Sequence, residues 1–214
     1  MPLDVGGWQL VAALVIVMIG GLIQGVIGYG MNLVVVPLVA VLIPGSVPGS
    51  MVLLSMPMTL TMLLREHHAI DWLGVRWITT GRLPGTVIGL LVLAALPEEQ
   101  LAFAIGLLII LGVVLSVIHP GIKVGRATAF GAGMVAGVSD TAASVGGPPL
   151  ALLYQRAQPH TFRATLATSF LIAASVSGIA LAARGRLSGE QLLLTAMFLP
   201  AMLTGLALSG PLAR

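Results

Sequence analysis

Two glycine-rich phrases of the chain carry residue types that bind small anions in proteins. Glycine leaves backbone N–H groups open to a ligand, while Asn, Thr, Ser and Tyr side chains add neutral hydrogen-bond donors. Each phrase interrupts an apolar run, so the run that follows begins with N–H groups that have no helical partner, and helix N-termini favour anions. The candidate binding residues are Gly28, Tyr29, Gly30 and Asn32 in the first phrase, and Thr141, Ser144, Gly146 and Gly147 in the second.

Arg82 is the candidate charged residue of the same site. It follows Trp72 by ten residues, or about 15 Å along a helix, which would place it near the middle of a membrane. An arginine at that depth costs free energy on insertion and usually marks a pathway or an ionic partner. The alternative is that the interface lies at Arg76 and Trp77, so that the Arg82 side chain extends to the surface along its apolar stem.

Asp140, in the second phrase, admits three roles. It could pair with Arg82 and gate the site, it could take up a proton that is coupled to anion movement, or it could cap the helical arm that begins near Ser144. It is the one carboxylate that qualifies as buried in a membrane, and all four histidines lie in loops. An intramembrane protease needs a histidine base or a second carboxylate. We therefore predict a protein that is not an enzyme and has no metal site and no cofactor.

Composition sets the class of protein. With 57% hydrophobic residues, 8% charged residues and a mean hydropathy of +1.07, the chain cannot cover a soluble core, because soluble domains have about 25% charged residues. We predict an all-α polytopic membrane protein. The net charge of +3 comes from basic residues scattered between apolar runs, which is typical of membrane loops and not of a nucleic-acid surface. The loop with His67 and His68, beside Arg65, Glu66 and Asp71, is predicted to be solvated.

The apolar runs form one transmembrane domain over residues 1–214. Their predicted bounds are Trp8–Ile27, Met31–Ile43, Val47–Leu64, Trp72–Leu96, Leu101–Ile118, Ala127–Ser139, Ser144–Tyr154, Phe162–Ala183 and Gln191–Leu212. A crossing takes roughly 20 residues, and the runs that qualify begin at Val47, Trp72, Leu101, Phe162 and Gln191.

The other runs form two broken pairs. From Trp8 to Ile43 a continuous helix would be about 54 Å long, against a hydrocarbon core of about 30 Å, so the chain must turn back near Gly28–Gly30. In the second pair both arms have about a dozen residues, which predicts a hairpin that enters and leaves the membrane by one face and turns between Asp140 and Gly147. The glycines four residues apart in each phrase are predicted to pack helices closely; they are Gly21, Gly25, Gly133 and Gly137.

Two structural repeats are predicted, over residues 8–118 and 127–212, with the final helix of the second repeat absent relative to the internal symmetry. If each broken segment is a re-entrant hairpin the two halves are inverted, and if each crosses once they are parallel. The positive-inside rule favours inversion, because more basic residues then share one side. Those residues are Arg65, Arg76, Lys123, Arg126, Arg156, Arg163 and Arg214.

A family resemblance rests on the two phrases together. Gly21-x-x-x-Gly25-x-x-Gly28-x-Gly30 with Val36-Pro37-Leu38, followed in the second half by Gly133-x-x-x-Gly137 and Gly146-Gly147-Pro148-Pro149-Leu150, resembles the TauE/SafE-type sulfite exporter family of bacterial inner-membrane carriers. The resemblance covers nearly the whole chain. It implies transport of a sulfur-containing oxyanion or organosulfonate, such as sulfite or sulfoacetate, and a multi-pass protein of the inner (cell) membrane.

We therefore expect membrane transport of a small anion by alternating access around a midplane site formed by the two broken helices. A passive anion channel and a carrier of a small carboxylate are the alternatives. The expected partners are the anionic substrate and the lipid bilayer, with protons as a candidate coupling ion, a homodimer as a candidate assembly, and no nucleic acid.

Overall fold

The computed structural model describes residues 6–43, 46, 49–95, 123–143, 146–183 and 187–212. Within these residues the protein is all-helical and has no strand, which confirms the predicted all-α class. The helices are α1 (Gly7–Ile27), α2 (Met31–Leu42), α3 (Gly49–Glu66), α4 (Trp72–Ala95), α5 (Arg126–Ala143), α6 (Gly147–Tyr154), α7 (Pro159–Ala183) and α8 (Gly189–Leu212), with a 3-10 turn at His67–Ala69.

Three of the described helices are long and apolar enough to cross a membrane. They are α1, the segment Pro159–Ile179 of α7, and α8. The runs predicted from Val47 and Trp72 also form helices, α3 and α4. The run predicted from Leu101 lies outside the described residues. These apolar helices are those of a membrane protein.

The described chain divides into two compact units. Unit 1 comprises Met1–Arg65 and Phe170–Arg214, and unit 2 comprises Glu66–Ser169. The first glycine-rich phrase thus belongs to unit 1, whereas Arg82 and the second phrase belong to unit 2.

In unit 1, α1 and α2 form a hairpin around the predicted turn. Gly28 and Gly30 have φ angles of 102° and 112°, a region that L side chains rarely adopt, so glycine at both positions permits the reversal. The second arm folds back on the first, because a Cβ at Gly20 of α1 would meet Val35 and Met31 of α2. The predicted turn at Gly28–Gly30 is confirmed.

The helices α1 and α8 pack against each other through glycines. A Cβ at Gly21 would lie 2.6 Å from the carbonyl oxygen of Met202, and one at Gly25 would overlap Ser209. From the other side, Gly205 faces the backbone of Met18. The contacts advance in the same direction along both helices, so the two helices run parallel at the close distance that small residues allow.

The helices α4 and α5 form a second parallel pair, in unit 2. Gly81 and Gly85 of α4 face the carbonyls of Phe130 and Met134. In return, Gly133 and Gly137 of α5 face those of Ile78 and Arg82. The prediction that Gly21, Gly25, Gly133 and Gly137 pack helices closely is therefore confirmed in both units.

The second broken segment consists of α5 and α6, and its two ends lie at the same end of unit 2. Because α5 is parallel to α4, it begins near the start of α4. At the end of α6, the hydroxyl of Tyr154 donates to Oδ2 of Asp71 at 2.7 Å, and Asp71 directly precedes α4. This geometry is that of a hairpin.

The two arms of this hairpin differ from the prediction in length. We expected about a dozen residues in each arm, but α5 has 18 residues and α6 has eight. The helix continues past Ser139 because Ala142 and Ala143 are strong helix formers and because Asp140 gains an ionic partner. The arm α6 starts later, at Gly147, with Pro148 and Pro149 in its first turn, where proline is tolerated.

Candidate functional site

The centre of the candidate site is an ion pair between Arg82 of α4 and Asp140 of α5. Nη1 of Arg82 donates to Oδ2 of Asp140 at 2.9 Å. Arg82 is only 8% exposed, so its side chain does not extend to the surface, which was the alternative considered from the sequence. The charge is instead balanced inside the protein, as expected for an arginine in an apolar helix.

The glycines of α4 and α5 explain why these two side chains meet. Gly137 packs against the backbone of Arg82, and Gly85 packs against the backbone of Met134. Asp140 lies almost one turn beyond Gly137 on the same helix, so the close approach of the two backbones brings its short side chain within reach of the longer arginine. The packing glycines and the ion pair are parts of one helix contact.

One proposed role of Asp140, that of a helix cap, is wrong. Asp140 lies inside α5, and the residue that precedes α6 is Gly146, which provides no side-chain cap. The pairing role is the one that the geometry supports. The sequence could not fix this point, because Asp is common at helix caps and its partner Arg82 lies 58 positions away in the chain.

Gly146 lies directly against the ion pair. A Cβ at this position would lie 3.0 Å from Nη2 of Arg82 and 3.1 Å from Cβ and Cγ of Asp140. Any side chain here would therefore press on both charged groups. Gly147 follows as the first residue of α6, so the N-terminal end of this short helix adjoins the pair.

The other polar candidates of the second phrase contribute less. The hydroxyl of Thr141 donates to the carbonyl of Gly137 at 2.8 Å, which uses its donor inside α5. Ser144 lies outside the described residues. Proline has no N–H, so Pro148 and Pro149 supply no backbone donors in the first turn of α6.

In the first phrase, Gly28, Tyr29, Gly30 and Asn32 lie together at the turn of the α1–α2 hairpin. A residue that the sequence analysis missed acts here. The side chain of Gln24, which is 8% exposed, accepts a hydrogen bond from the N–H of Met31 at 3.1 Å. One of the N–H groups expected to be free at the start of α2 therefore has a partner. A glutamine in an apolar helix was the available signal, because buried amides need hydrogen-bond partners.

The structure thus brings Arg82, Asp140 and Gly146 into contact within unit 2, whereas Gly28–Asn32 form a separate group within unit 1. That the two phrases enclose one ligand stays a prediction from the sequence.

A second polar cluster in unit 2 was not predicted. Asp71 caps α4 by accepting the N–H of Gly74 at 3.0 Å, and it also accepts the hydroxyl of Tyr154. The N–H of Asp71 donates to Thr165 of α7 at 3.1 Å. Gly74 is required by this arrangement, because a Cβ there would overlap the hydroxyl of Tyr154. The cluster joins the start of α4, the end of α6 and the start of α7.

Glu66 and Arg163 form an ion pair beside this cluster. Nε of Arg163 donates to Oε1 of Glu66 at 2.7 Å, and Arg163 is 8% exposed. His67 and His68 are exposed, as predicted. The prediction of a solvated loop was wrong for Glu66 and Asp71, because both carboxylates bind residues more than 80 positions away in the chain, for which the local sequence has no signal.

Comparison with known families adds to this geometry. Residues 12–214 match the family described as Sulfite exporter TauE/SafE. Comparison with curated proteins and with solved structures gives no match. The match covers nearly the entire chain and includes both glycine-rich phrases, the ion pair and the helices that carry them. The chain therefore belongs to the TauE/SafE sulfite exporter family.

Proposed function

We propose that this protein carries sulfite or a related sulfur oxyanion or organosulfonate across the bacterial inner membrane, with Arg82 as its charged binding group. The family implies membrane transport of sulfite or related anions, and its members are transporters and not enzymes. The proposal adds the residue that holds the anion and the way in which the surrounding helices present it.

The ion pair that the buried Arg82 forms with Asp140 is the observation that carries the proposal. A guanidinium offers a planar set of donors that suits an oxyanion, and the attraction is strong where water is scarce. Arg82 lies within α4, far from both helix ends, and has Gly146 rather than a larger residue beside it. The backbone at Gly146 therefore approaches the charged donor of this helix contact closely.

The N-terminal end of α6, at Gly147, supports the same site. The N-terminal end of a helix carries roughly half a positive charge, and the N–H of Gly147 is not replaced by proline. This partial charge adds to that of Arg82 and favours an anion over a neutral solute. Pro148 and Pro149 follow and have no N–H groups, so few backbone donors are available to the anion here. We therefore propose that the guanidinium of Arg82 contributes most to binding of the anion.

The hairpins of the two units support the proposed pair of broken helices. In each unit the second arm folds back on the first or ends where the first begins. Broken helices at matching places of two repeats are typical of carriers that alternate access around a central site. We propose this mechanism here.

The test is anion binding by purified protein, measured as thermal stabilisation by sulfite, sulfate, thiosulfate, sulfoacetate and acetate. We expect sulfite or a sulfonate to stabilise the wild type, and Arg82→Gln to abolish this effect. Arg76→Gln is the matched control, because Arg76 is an exposed arginine on the same helix, and it should respond as the wild type does. Unchanged stabilisation of folded Arg82→Gln would remove Arg82 from the site.

Arg82→Gln leaves Asp140 without its counter-ion, which by itself destabilises the protein. The double variant Arg82→Gln, Asp140→Asn removes both charges and restores neutrality. We expect this variant to be more stable than the single variant and still to show no thermal stabilisation by sulfite. Preferential stabilisation by acetate would favour the small-carboxylate alternative, and an unsaturable, electrogenic flux in liposomes would favour an anion channel.

A further inference from the structure

We propose that Asp140 binds a proton when the anion binds Arg82, so that each anion is accompanied by one proton. The inference rests on the proposed function, because it assigns the coupling ion of the same site. The proton comes from water, binds a carboxylate oxygen of Asp140, and returns to water when the anion leaves.

The two members of the ion pair differ in accessibility. The side chain of Arg82 is 9% exposed and that of Asp140 is 31% exposed, so the carboxylate is the more accessible member of the pair. Oδ2 of Asp140 already accepts the hydrogen bond from Nη1 of Arg82. A sulfur oxyanion would form the same kind of charge-assisted hydrogen bond, so the anion and the ionised carboxylate compete for one guanidinium.

Charge balance decides how this competition is resolved. With Asp140 ionised the pair is neutral, and an added monoanion would leave a net negative charge where the surroundings are apolar, which is costly. With a proton on Asp140, the anion replaces the carboxylate as the counter-ion of Arg82 and the site remains neutral. The neutral carboxyl group also becomes a donor that can bind the anion.

The helices in contact with the pair offer no other carboxylate for this role. Along α4 the other charged residue is Arg76, and along α5 it is Arg126, which lies at the start of that helix. The titratable group of α6 is Tyr154, at the far end of the helix, where it donates to a different carboxylate. Within the described residues, Asp140 is the carboxylate that contacts Arg82.

Two consequences follow from thermodynamic linkage. If one proton binds with each anion, the affinity for the anion falls about tenfold per pH unit wherever empty Asp140 is ionised. Linkage is reciprocal, so the bound anion favours the protonated carboxyl group by the same factor by which protonation favours the anion. Movement of a monoanion with one proton is electroneutral. Transport then follows the combined gradients of anion and proton and does not respond directly to the membrane potential.

The test is isothermal titration of the full chain with sulfite in buffers of different ionisation enthalpy, which reports proton uptake on binding. Asp140→Asn mimics the protonated carboxyl group and is titrated in parallel, so that the ionisation of sulfite itself cancels in the difference. At about pH 8 we expect the wild type to take up about one more proton per sulfite than Asp140→Asn does. We also expect Asp140→Asn to bind sulfite more tightly than the wild type at that pH, by tenfold or more, because nothing competes for Arg82.

Glu190→Gln is the control for loss of a carboxylate, because Glu190 is exposed at the start of α8; its proton uptake should equal that of the wild type. Should Asp140→Asn not fold, Asp140→Ser serves as a second neutral variant. Asp140→Glu keeps a carboxylate and should keep the proton uptake on sulfite binding. Equal uptake by the wild type and a neutral variant that still binds sulfite overturns the coupling alone. Failure of the wild type to bind sulfite overturns the proposed function instead.

Discussion

The helix contact that holds Arg82 and Asp140 depends on single glycines. A Cβ at Gly133 would overlap the carbonyl oxygen of Ile78, so the backbones of α4 and α5 would have to separate. Two residues earlier on the same helix, a Cβ at Gly131 would meet nothing within 4 Å. The same substitution at these two sites therefore separates helix packing from helix propensity.

We expect Gly133→Ala to destabilise the protein by about 1–3 kcal/mol, as overpacking does in a close contact. Gly131→Ala should be neutral or stabilise it by up to about 1 kcal/mol, because alanine favours a helix interior more than glycine does. Thermal unfolding of both variants in detergent measures the difference. Equal stability of the two variants would contradict the tight contact at Gly133.

Gly146 allows a prediction about the ion pair itself. In Gly146→Ala the new Cβ would press on Arg82 and Asp140 at 3.0–3.1 Å, and the φ of −85° is compatible with alanine, so the backbone can adopt the same conformation. We expect a folded protein with weaker affinity for sulfite, by several-fold or more. An affinity equal to that of the wild type would show that space beside the pair is not used by the anion.

At this scale the sequence predicted some residues of the site and not others. Arg82 could be found because an arginine in the middle of an apolar run needs a partner, and Asp140 was considered as that partner. Gln24 and Tyr154 could not be assigned, because their partners become neighbours only when the chain folds back. Thr141 was expected to face a ligand, but a threonine in a helix readily bonds to the carbonyl one turn earlier.

At the scale of helices, a hydrogen bond at Tyr154 holds the C-terminal end of α6. The hydroxyl of Tyr154, which is nearly inaccessible to solvent, donates to the residue that caps α4. Because α6 has only eight residues, this bond and the contact of Gly146 with the ion pair fix its two ends against α4. The position of α6 beside Arg82 therefore depends on Tyr154 as well as on local packing.

We expect Tyr154→Phe to lower the free energy of unfolding by about 1–3 kcal/mol, since it removes a buried hydrogen bond to a carboxylate. Asp71→Ala should lower the free energy of unfolding further, because it also removes the cap of α4. Hydrogen exchange should accelerate in α6 in both variants, and in the first turn of α4 only in Asp71→Ala. If α6 exchanges in Tyr154→Phe as it does in the wild type, the bond does not hold the arm.

The bounds of the helices show where sequence patterns were sufficient. Two glycines with positive φ end α1 and start α2, so the first break was predicted to within a residue. The second break was placed too early, because the phrase from Asp140 to Gly147 contains residues that suit a turn and also residues that suit a helix. A contact between distant helices decided between them, and no local pattern reports such a contact.

At the scale of the whole molecule, the orientation of the loops follows from the hairpin of unit 2. Tyr154 binds Asp71, and Arg163 binds Glu66, so the segment between α6 and α7 lies at the same end of unit 2 as the segment between α3 and α4. A broken segment that crossed the membrane once would place these two segments on opposite sides.

Labelling of single cysteines tests this orientation, since the chain has no cysteine of its own. Cysteines at His68, Gln158 and Ser188 replace exposed residues. With an impermeant reagent we expect the first two to be protected in intact cells, on the cytoplasmic side that basic loops prefer, and Ser188→Cys to be labelled from the periplasm. Labelling of Gln158→Cys from the side opposite to His68→Cys would refute the re-entrant hairpin.

Sulfite flux into liposomes that contain the purified protein shows whether Arg82 holds the transported anion. We expect saturable flux with the wild type and with Arg76→Gln. With the double variant Arg82→Gln, Asp140→Asn we expect a loss of at least about 100-fold, near the level of empty liposomes, because a charge-assisted contact at the site is worth several kcal/mol. Flux through the folded double variant at the rate of the wild type would exclude Arg82 as the group that holds the anion.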